Sequence, residues 1–333
     1  MLIPRPVSEY YEQRASVPGT LLISEATVVS KAAACVPNVP GIWSEAQVAA
    51  WRGVVDAVHA KGSTIYCQLW HPGRVGVPGT GVRILSASAV PADEQSAVPE
   101  AMTEAEIADT IRDYAAAASN AVRAGFDGVE IHAGNGCLVD QFIQDTSNHR
   151  TDSWGGSVEN RARFALGIVR AVIAAVGADR TAIRFSPFSP FMGMLMATDR
   201  LYPQFEYLLE HLKPLGLAYM HLIEPRISGN TDCDIGAEYD AGHFVKFWDD
   251  SSPVMLAGGY TAESAARAVD EKYKGHDVLI AFGRHFIANP DLVFRAKAGI
   301  GFTKYNRESF YIPKSPEGYT DYPFSPEFLA EAA

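Results

Sequence analysis

The chain of 333 residues carries 28 basic and 39 acidic side chains, a formal net charge of −11, with 47% hydrophobic and 20% charged residues. That length suits one barrel enzyme with insertions, and the composition is that of a globular protein rather than a disordered one. An acidic balance without a basic stripe excludes nucleic acid as a partner, and the lack of any apolar run of about 18 residues excludes a membrane span.

In chain order, short apolar, β-branched runs alternate with helical patterns. The opening MLIPRPVSEYYEQR has prolines and charges where a secretory signal needs an apolar stretch, so a cytoplasmic protein is expected. Pro4, Pro6 and Pro18 also argue against a central strand there, and the chain is read as starting in a loop. Residues 20–27 (TLLISEAT) read as the first strand. A helix over 44–62 opens on Ser44 as N-cap and closes on Gly62. Strand 63–70 (STIYCQLW) leads into a long loop rich in Gly and Pro. The helix over 103–125 begins with a capping box, Thr103 with Glu106, and stops at Gly125. Strand 128–134 (GVEIHAG) and a second long loop precede a helix over 157–177. Strand 181–187, a helix near 201–213, strand 217–225 and a helix around 236–250 follow. Strand 253–260, helix 261–273, strand 276–283 and helix 289–299 complete the series. The aromatic, Pro-rich segment from about 300 to 333 is expected to pack on the outside.

Seven strand–helix units in this rhythm predict a parallel sheet with right-handed crossovers. Continuous apolar strands such as VLIAF (278–282) predict burial on both faces. A (β/α)8 TIM-type barrel lacking its first strand accounts for the count better than a doubly wound sheet, because no GxGxxG follows the first strand. One barrel domain over 1–333 is expected. The basic pairs Arg161/Arg163 and Arg295/Lys297 read as solvated helix faces. Cys35, Cys67, Cys137 and Cys233 form no CxxC or finger spacing, so free thiols and no metal are expected.

In a barrel the chemistry sits at the C-terminal ends of the strands. Those ends present Ala26, Gln68 with Trp70, His132 followed by Asn135 and Cys137, Arg184, His221 with Glu224, Gly258–Gly259 and Gly283–Arg284. The last two groups are the strongest signal. Barrels bind phosphate after their last strands, beside a helix N-terminus, where glycines let backbone N–H groups approach and a guanidinium adds bidentate contact. Two ordinary turns with a surface arginine are the alternative. Arg184 in a buried strand needs a partner, either a structural ion pair or an electron-rich ligand ring. His132 and Asn135, three apart where a strand leaves the barrel, can offer two donors to one carbonyl oxygen, or serve structural roles.

The segment EIHAGNGCLVDQFIQDTSNHRTDSWGGSVENRARF (130–164) resembles the signature of the old yellow enzyme family. In that signature a His and an Asn or second His, three apart, precede a long loop ending in GGSxENRxRF. PGIWSEAQ (40–47), CQLWHPGR (67–74), AGFDGVEIH (124–132), LAGGY (256–260) and AFGRHFIANPDL (281–292) resemble the same family, so the likeness covers nearly the whole chain. It is most similar to fungal members, including those that reduce or isomerise an unsaturated aldehyde in ergot alkaloid pathways. The resemblance implies FMN across the barrel mouth, with Gln68 and Arg184 at the flavin pyrimidine ring and Ala26 near it. It implies Gly258, Gly259, Gly283 and Arg284 at the phosphate, and NADPH as reductant. It also implies a small α,β-unsaturated aldehyde or ketone, whose carbonyl oxygen His132 and Asn135 would bind as charge develops on it.

Two departures from the family pattern stand out. Its proton-donating tyrosine falls at Cys137, within Gly136–Cys137–Leu138. A thiol is shorter and a weaker donor than a phenol. Cys137 is read as protonating through a water, as a nucleophile towards an enal if its pKa falls, or as a small apolar filler. Family members also carry, ahead of the segment that opens this chain, a hairpin lid, the first barrel strand and a threonine that contacts the flavin. Three functions compete: an FMN-dependent ene-reductase of secondary metabolism, a non-reducing isomerase or cyclase favoured by the missing tyrosine, and a flavin-free binding protein favoured by the missing strand.

Overall fold

The computed structural model describes residues 5–229, 231–233, 235–236 and 238–331. Its centre is a parallel sheet of β1 (Leu21–Ile23), β2 (Thr64–Trp70), β3 (Gly128–Ala133), β4 (Thr181–Phe185), β5 (Tyr219–Ile223), β6 (Val254–Ala257) and β7 (Val278–Ala281), each hydrogen-bonded to the next. Thr27–Val28 pairs separately with the end of β2. β1 and β7 do not pair with each other. The barrel is therefore open by one strand between them, as the count of units predicts.

The helices are α1 (Arg5–Arg14), α2 (Glu45–His59), α3 (Glu104–Ala124), α4 (Leu138–Ile143), α5 (Val158–Val176), α6 (Thr198–Leu212), α7 (Ala241–Trp248), α8 (Ala262–Arg267), α9 (Arg284–Ala288), α10 (Leu292–Ala298) and α11 (Pro326–Glu331). Both expected starts are capping boxes, Ser44 with Gln47 and Thr103 with Glu106. Gly125 ends α3 at φ 100°, a conformation glycine adopts without a Cβ penalty. α3 lays Ile107, Tyr114 and a row of alanines inward, and α5 lays Ile168, Val169 and Val172 inward. β3 and β5 are buried throughout, as strands covered on both faces should be.

Several expectations are corrected. The first described residues are helical rather than loop, and Pro6 falls in the first turn of α1, where its missing N–H has no helical partner to serve. α4 gave no periodic signal because all six of its residues are buried. It is held by Phe142, which packs at 4.2 Å on Phe164 of α5; burying such a ring stabilises by about 1.5–3 kcal/mol. The helix after β6 is α-helical only to Arg267 and then widens over Ala268–Lys272. β7 is not buried on both faces: Leu279 is 41% exposed, and among the described residues no strand pairs with that edge. Arg161 and Arg295 are not solvated. Arg161 donates to Gln204 at 2.8 Å, and Arg295 donates to Asp291 at 2.8 Å.

The open edge is strapped by side chains. Buried Arg14 of α1 donates to the carbonyls of Phe286 (3.0 Å), Ile287 and Tyr319 (3.1 Å). Its guanidinium lies 3.4 Å over Tyr10, which stacks on Tyr319 at 4.3 Å. The C-terminal segment is also held by Ser325 Oγ donating to Asp291 at 2.6 Å. Among the described residues no helix is long and apolar enough to cross a membrane, and no cluster could hold a metal ion.

Candidate active site

Register builds the floor of the site. His132 lies opposite Arg184, and Arg184 opposite His221. One layer earlier, Gln68 lies opposite Glu130, Glu130 opposite Ala182, and Ala182 opposite Tyr219. Residues two apart on a strand share a face, so the two rows stack. Fully buried Glu130 accepts from Gln68 Nε2 at 2.7 Å, Tyr219 OH at 3.0 Å and His221 Nδ1 at 2.8 Å.

Burial alone would push the Glu130 carboxyl up. The His221 imidazole, the Arg184 guanidinium and the Gln68 amide outweigh it and hold the carboxyl down at about 2. Burial pushes His221 down, against the pull of Glu130. Burial outweighs the pull of Glu130 on His221, so the pair is a carboxylate and a neutral imidazole. His221 then gives its Nδ1 proton to Glu130 and leaves Nε2 buried without a partner, as is Nε of Arg184. A carboxylate only accepts, so Gln68 must turn its NH2 to Glu130 and present Oε1 outward. Acceptor, cation and orphaned nitrogens on one face match a ligand ring edge carrying both donors and acceptors.

His132 is 5% exposed, and burial with the Arg184 charge lowers its pKa to about 3. The ring is therefore neutral. The Gly134 N–H points at Nδ1 from 3.4 Å, which places the proton on Nε2 as a donor. Asn135 (φ 53°) and Gly136 (φ 70°) take consecutive left-handed conformations, which these two residue types tolerate. Ser186 Oγ accepts from Asn135 N at 2.6 Å, and Asp140 accepts from Gly136 N at 3.0 Å. The Asn135 side-chain amide has no intramolecular partner among the described residues.

Cys137 is buried just ahead of α4. Trp70 Nε1 donates to its sulfur at 3.0 Å, and burial pushes the thiol up to about 12. Such a thiol supplies little thiolate near neutral pH, which weighs against the nucleophile reading. A Cβ on Gly136 would lie 2.8 Å from Met192 Cβ, so the 186–197 loop rests on this corner. Buried Arg74 holds that loop by donating to Met192 O at 2.7 Å.

At the other end, a cavity of about 180 Å³ is lined by Arg184, Gly258, Gly259, Tyr260, Gly283 and Arg284, among others. Gly259 (φ 65°) and the 2.7 Å approach of Glu224 Cβ to a Cβ on Gly258 exclude larger residues at both positions. Gly283 has negative φ and open space around it, so neither its backbone conformation nor a neighbouring atom requires glycine there. α9 is only five residues long; the positive charge here comes from arginine rather than from a helix dipole.

The structure thus gathers Arg184, Gly258, Gly259, Gly283 and Arg284 on one cavity. It joins His132 to Arg184 by register and Gln68 to the layer beneath. Ala26, partly exposed between β1 and Thr27, does not line that cavity. A wider depression of about 490 Å³ around Ala87, Met102, His149 and Asp152 holds none of the expected residues. Two participants were missed. Glu130 stands in an otherwise apolar strand two residues before His132, which was a usable signal. Arg226 follows β5 beside Pro225 and gave none.

Comparison with known proteins places this geometry. The NADH:flavin oxidoreductase / NADH oxidase family matches residues 3–302. The chain is 55% identical over 332 residues to chanoclavine-I aldehyde reductase fgaOx3 of Penicillium roqueforti (strain FM164), covering 98% of this chain and 89% of that protein. It is 51% identical over 338 residues to a probable inactive reductase, easA, of Epichloe festucae var. lolii, covering 99% and 89%. Morphinone reductase in complex with tetrahydroNAD superposes with a TM-score of 0.86 at 39% identity, over 97% of this chain and 89% of that one.

Proposed function

We propose a function from one premise: the chain belongs to the NADH:flavin oxidoreductase / NADH oxidase family, of old yellow enzyme type. In our reading it is an FMN-dependent ene-reductase that takes hydride from NADPH and reduces an α,β-unsaturated aldehyde or ketone in secondary metabolism. The observation that carries this is the cavity joining Arg184 to the Gly258–Gly259 and Gly283–Arg284 turns, with His132 in register beside Arg184. The residues fit the cofactor chemically. Gln68 Oε1 and Arg184 would meet the acceptor- and donor-bearing ring edge, with Ala26 beside the ring. Gly258, Gly259, Gly283 and Arg284 would hold the phosphate. Bound FMN would supply the hydride chemistry.

The rest belongs to the chain. Neutral His132 Nε2–H and the unengaged Asn135 amide would grip the substrate carbonyl oxygen. Their hydrogen bonds strengthen as negative charge builds there. Cys137, protonated and engaged by Trp70, is poorly placed to protonate the α-carbon, so that proton would come from solvent.

The placement of Cys137 favours a second reading, a non-reducing isomerase. A long-lived carbanionic substrate would favour return of the hydride over protonation. The similarity to a relative described as a probable inactive reductase supports keeping both readings. Titration with FMN, followed by anaerobic NADPH consumption with a simple conjugated aldehyde, separates them. Binding with NADPH consumption is the expected result. Binding with double-bond migration and no NADPH consumption beyond the single equivalent that reduces the flavin selects the isomerase, and no flavin binding overturns both. Repeating the assay with NADH tests the choice of nucleotide.

A further inference from the structure

Two guanidinium groups and one carboxylate converge on Gly259. A Cβ built there would lie 2.8 Å from Arg284 Nη2, 3.2 Å from Arg226 Nη1 and 3.4 Å from Asp232 Oδ1. Like charges gathered at one point repel unless an anion joins them. Asp232 is such an anion: Arg284 Nη2 donates to its Oδ1 at 3.2 Å. It arrives on a short hairpin, Ile227–Ser228 with Thr231–Asp232, that folds back directly after Arg226. The nearby carboxylate of Glu224 is engaged elsewhere. It accepts from Tyr260 OH at 2.7 Å and Tyr273 OH at 3.0 Å, and pairs with Lys272 at 3.6 Å.

Arg226 is placed for a ligand rather than for the fold. It donates to Gly259 O at the long distance of 3.4 Å, lies 4.9 Å over the Tyr260 ring and interacts with the Tyr260 hydroxyl. Among the described residues no carboxylate forms an ion pair with it. Asp232, in contrast, is poorly suited to hold this position against a competitor. Its side chain is 72% exposed, whereas that of Arg284 is 13% exposed. A phosphate offers more charge and three oxygens to the same two guanidinium groups and to the backbone N–H groups of the glycine turns.

Resting on the FMN reading above, we propose that Arg226 is a second guanidinium of the phosphate site, and that Asp232 is an internal anion which occupies the site until a phosphate displaces it. A tethered competitor lowers apparent affinity by the fraction of molecules in which it occupies the site. An exposed pair competes weakly, so the effect should be modest but measurable.

The test titrates the wild-type protein, Asp232→Asn and Arg226→Gln with inorganic phosphate by calorimetry, and with FMN and riboflavin by flavin fluorescence, at one ionic strength. Asp232→Asn should bind phosphate and FMN roughly two- to five-fold more tightly. Arg226→Gln should bind both roughly ten-fold more weakly. Riboflavin, which lacks the phosphate, should bind all three proteins alike. Unchanged or weaker phosphate binding by Asp232→Asn overturns the proposal, as does unchanged binding by Arg226→Gln or an equal shift for riboflavin. The phosphate arm decides the proposal alone. If phosphate responds as expected but neither flavin binds the wild-type protein, the FMN reading fails and the anion site stands.

Discussion

Around Cys137 the chain satisfies itself. Trp70 donates to the thiol, Ser186 and Asp140 take the neighbouring backbone N–H groups, and Arg74 holds the loop above. Around Gly259 it does not. Two arginines meet at a glycine turn beside the exposed strand β7, and the anion between them is a solvent-facing aspartate. The difference follows from position in the sheet. β3 and β4 each have a strand on both sides and α3 and α5 behind them, so their ends are fixed by packing. Among the described residues β7 has a strand on one side only, and Arg14 ties α1 to the α9 segment that follows it. The proposed carbonyl-binding end is therefore preorganised, while the proposed phosphate end is arranged to exchange one anion for another.

The largest test of this contrast removes the closed end's two donors. His132→Ala with Asn135→Ala should lower kcat/KM for a conjugated aldehyde by roughly 10⁴-fold. FMN affinity should barely move; an equal loss of FMN binding would show that the two ends are not separate.

Next, Glu130→Ala breaks the buried pair with His221 and removes the acceptor shared by Gln68 and Tyr219. A broken buried pair costs about 3–5 kcal/mol, to be read as a lower urea midpoint at unchanged slope. Arg284→Ala at the open end should cost far less stability and more FMN affinity. Comparable destabilisation by both substitutions would erase the contrast.

Cys137→Tyr should restore a positioned acid and speed reduction of the aldehyde by roughly 10²-fold, the low end for such a group. Reduction of bound flavin by NADPH should stay constant in stopped-flow traces. The larger ring must displace the Trp70 indole, whose Nε1 lies 3.0 Å from the Cys137 sulfur, so a stability loss of about 1–3 kcal/mol is expected alongside.

The smallest effect concerns Asp140. Burial raises its carboxyl to about 7 from an ordinary 3.8. Between those values the folded chain holds a proton that the unfolded chain releases, so this contribution is full below the ordinary value and is lost as pH rises through about 7. Asp140→Asn should flatten the decline of Tm over that window. An unchanged slope would place the titration elsewhere. Glu130 has the opposite sign: its stabilisation is present above the ordinary 4.5 and is lost only as pH falls through about 2.

Much of the fold was legible in the sequence. The caps at Ser44, Thr103 and Gly125 use partners within a few residues, so their signals are local. The strand ends named most of the candidate site because barrel topology puts every one of them at the same mouth. Ala26, which the resemblance puts beside the ring, is not among the residues that line the cavity. The roles of Arg161, Arg295 and the strand VLIAF were misjudged because exposure is a property of neighbours rather than of pattern. Arg161 and Arg295 look like helix-face charges until Gln204 and Asp291 meet them.

What the sequence alone determined was therefore the series of strands and helices, the missing unit in the count and the candidate residues at the strand ends. Only the tertiary structure decided how those residues act on one another. Glu130 is joined to Tyr219 and His221 across 89 and 91 positions, and Asp232 reaches Arg284 across 52. Such contacts depend on strand register and loop path, which are set when distant apolar faces pack together. Charge state, tautomer and the direction of the Gln68 amide all follow from those distant partners, so no short-range pattern in the chain can encode them.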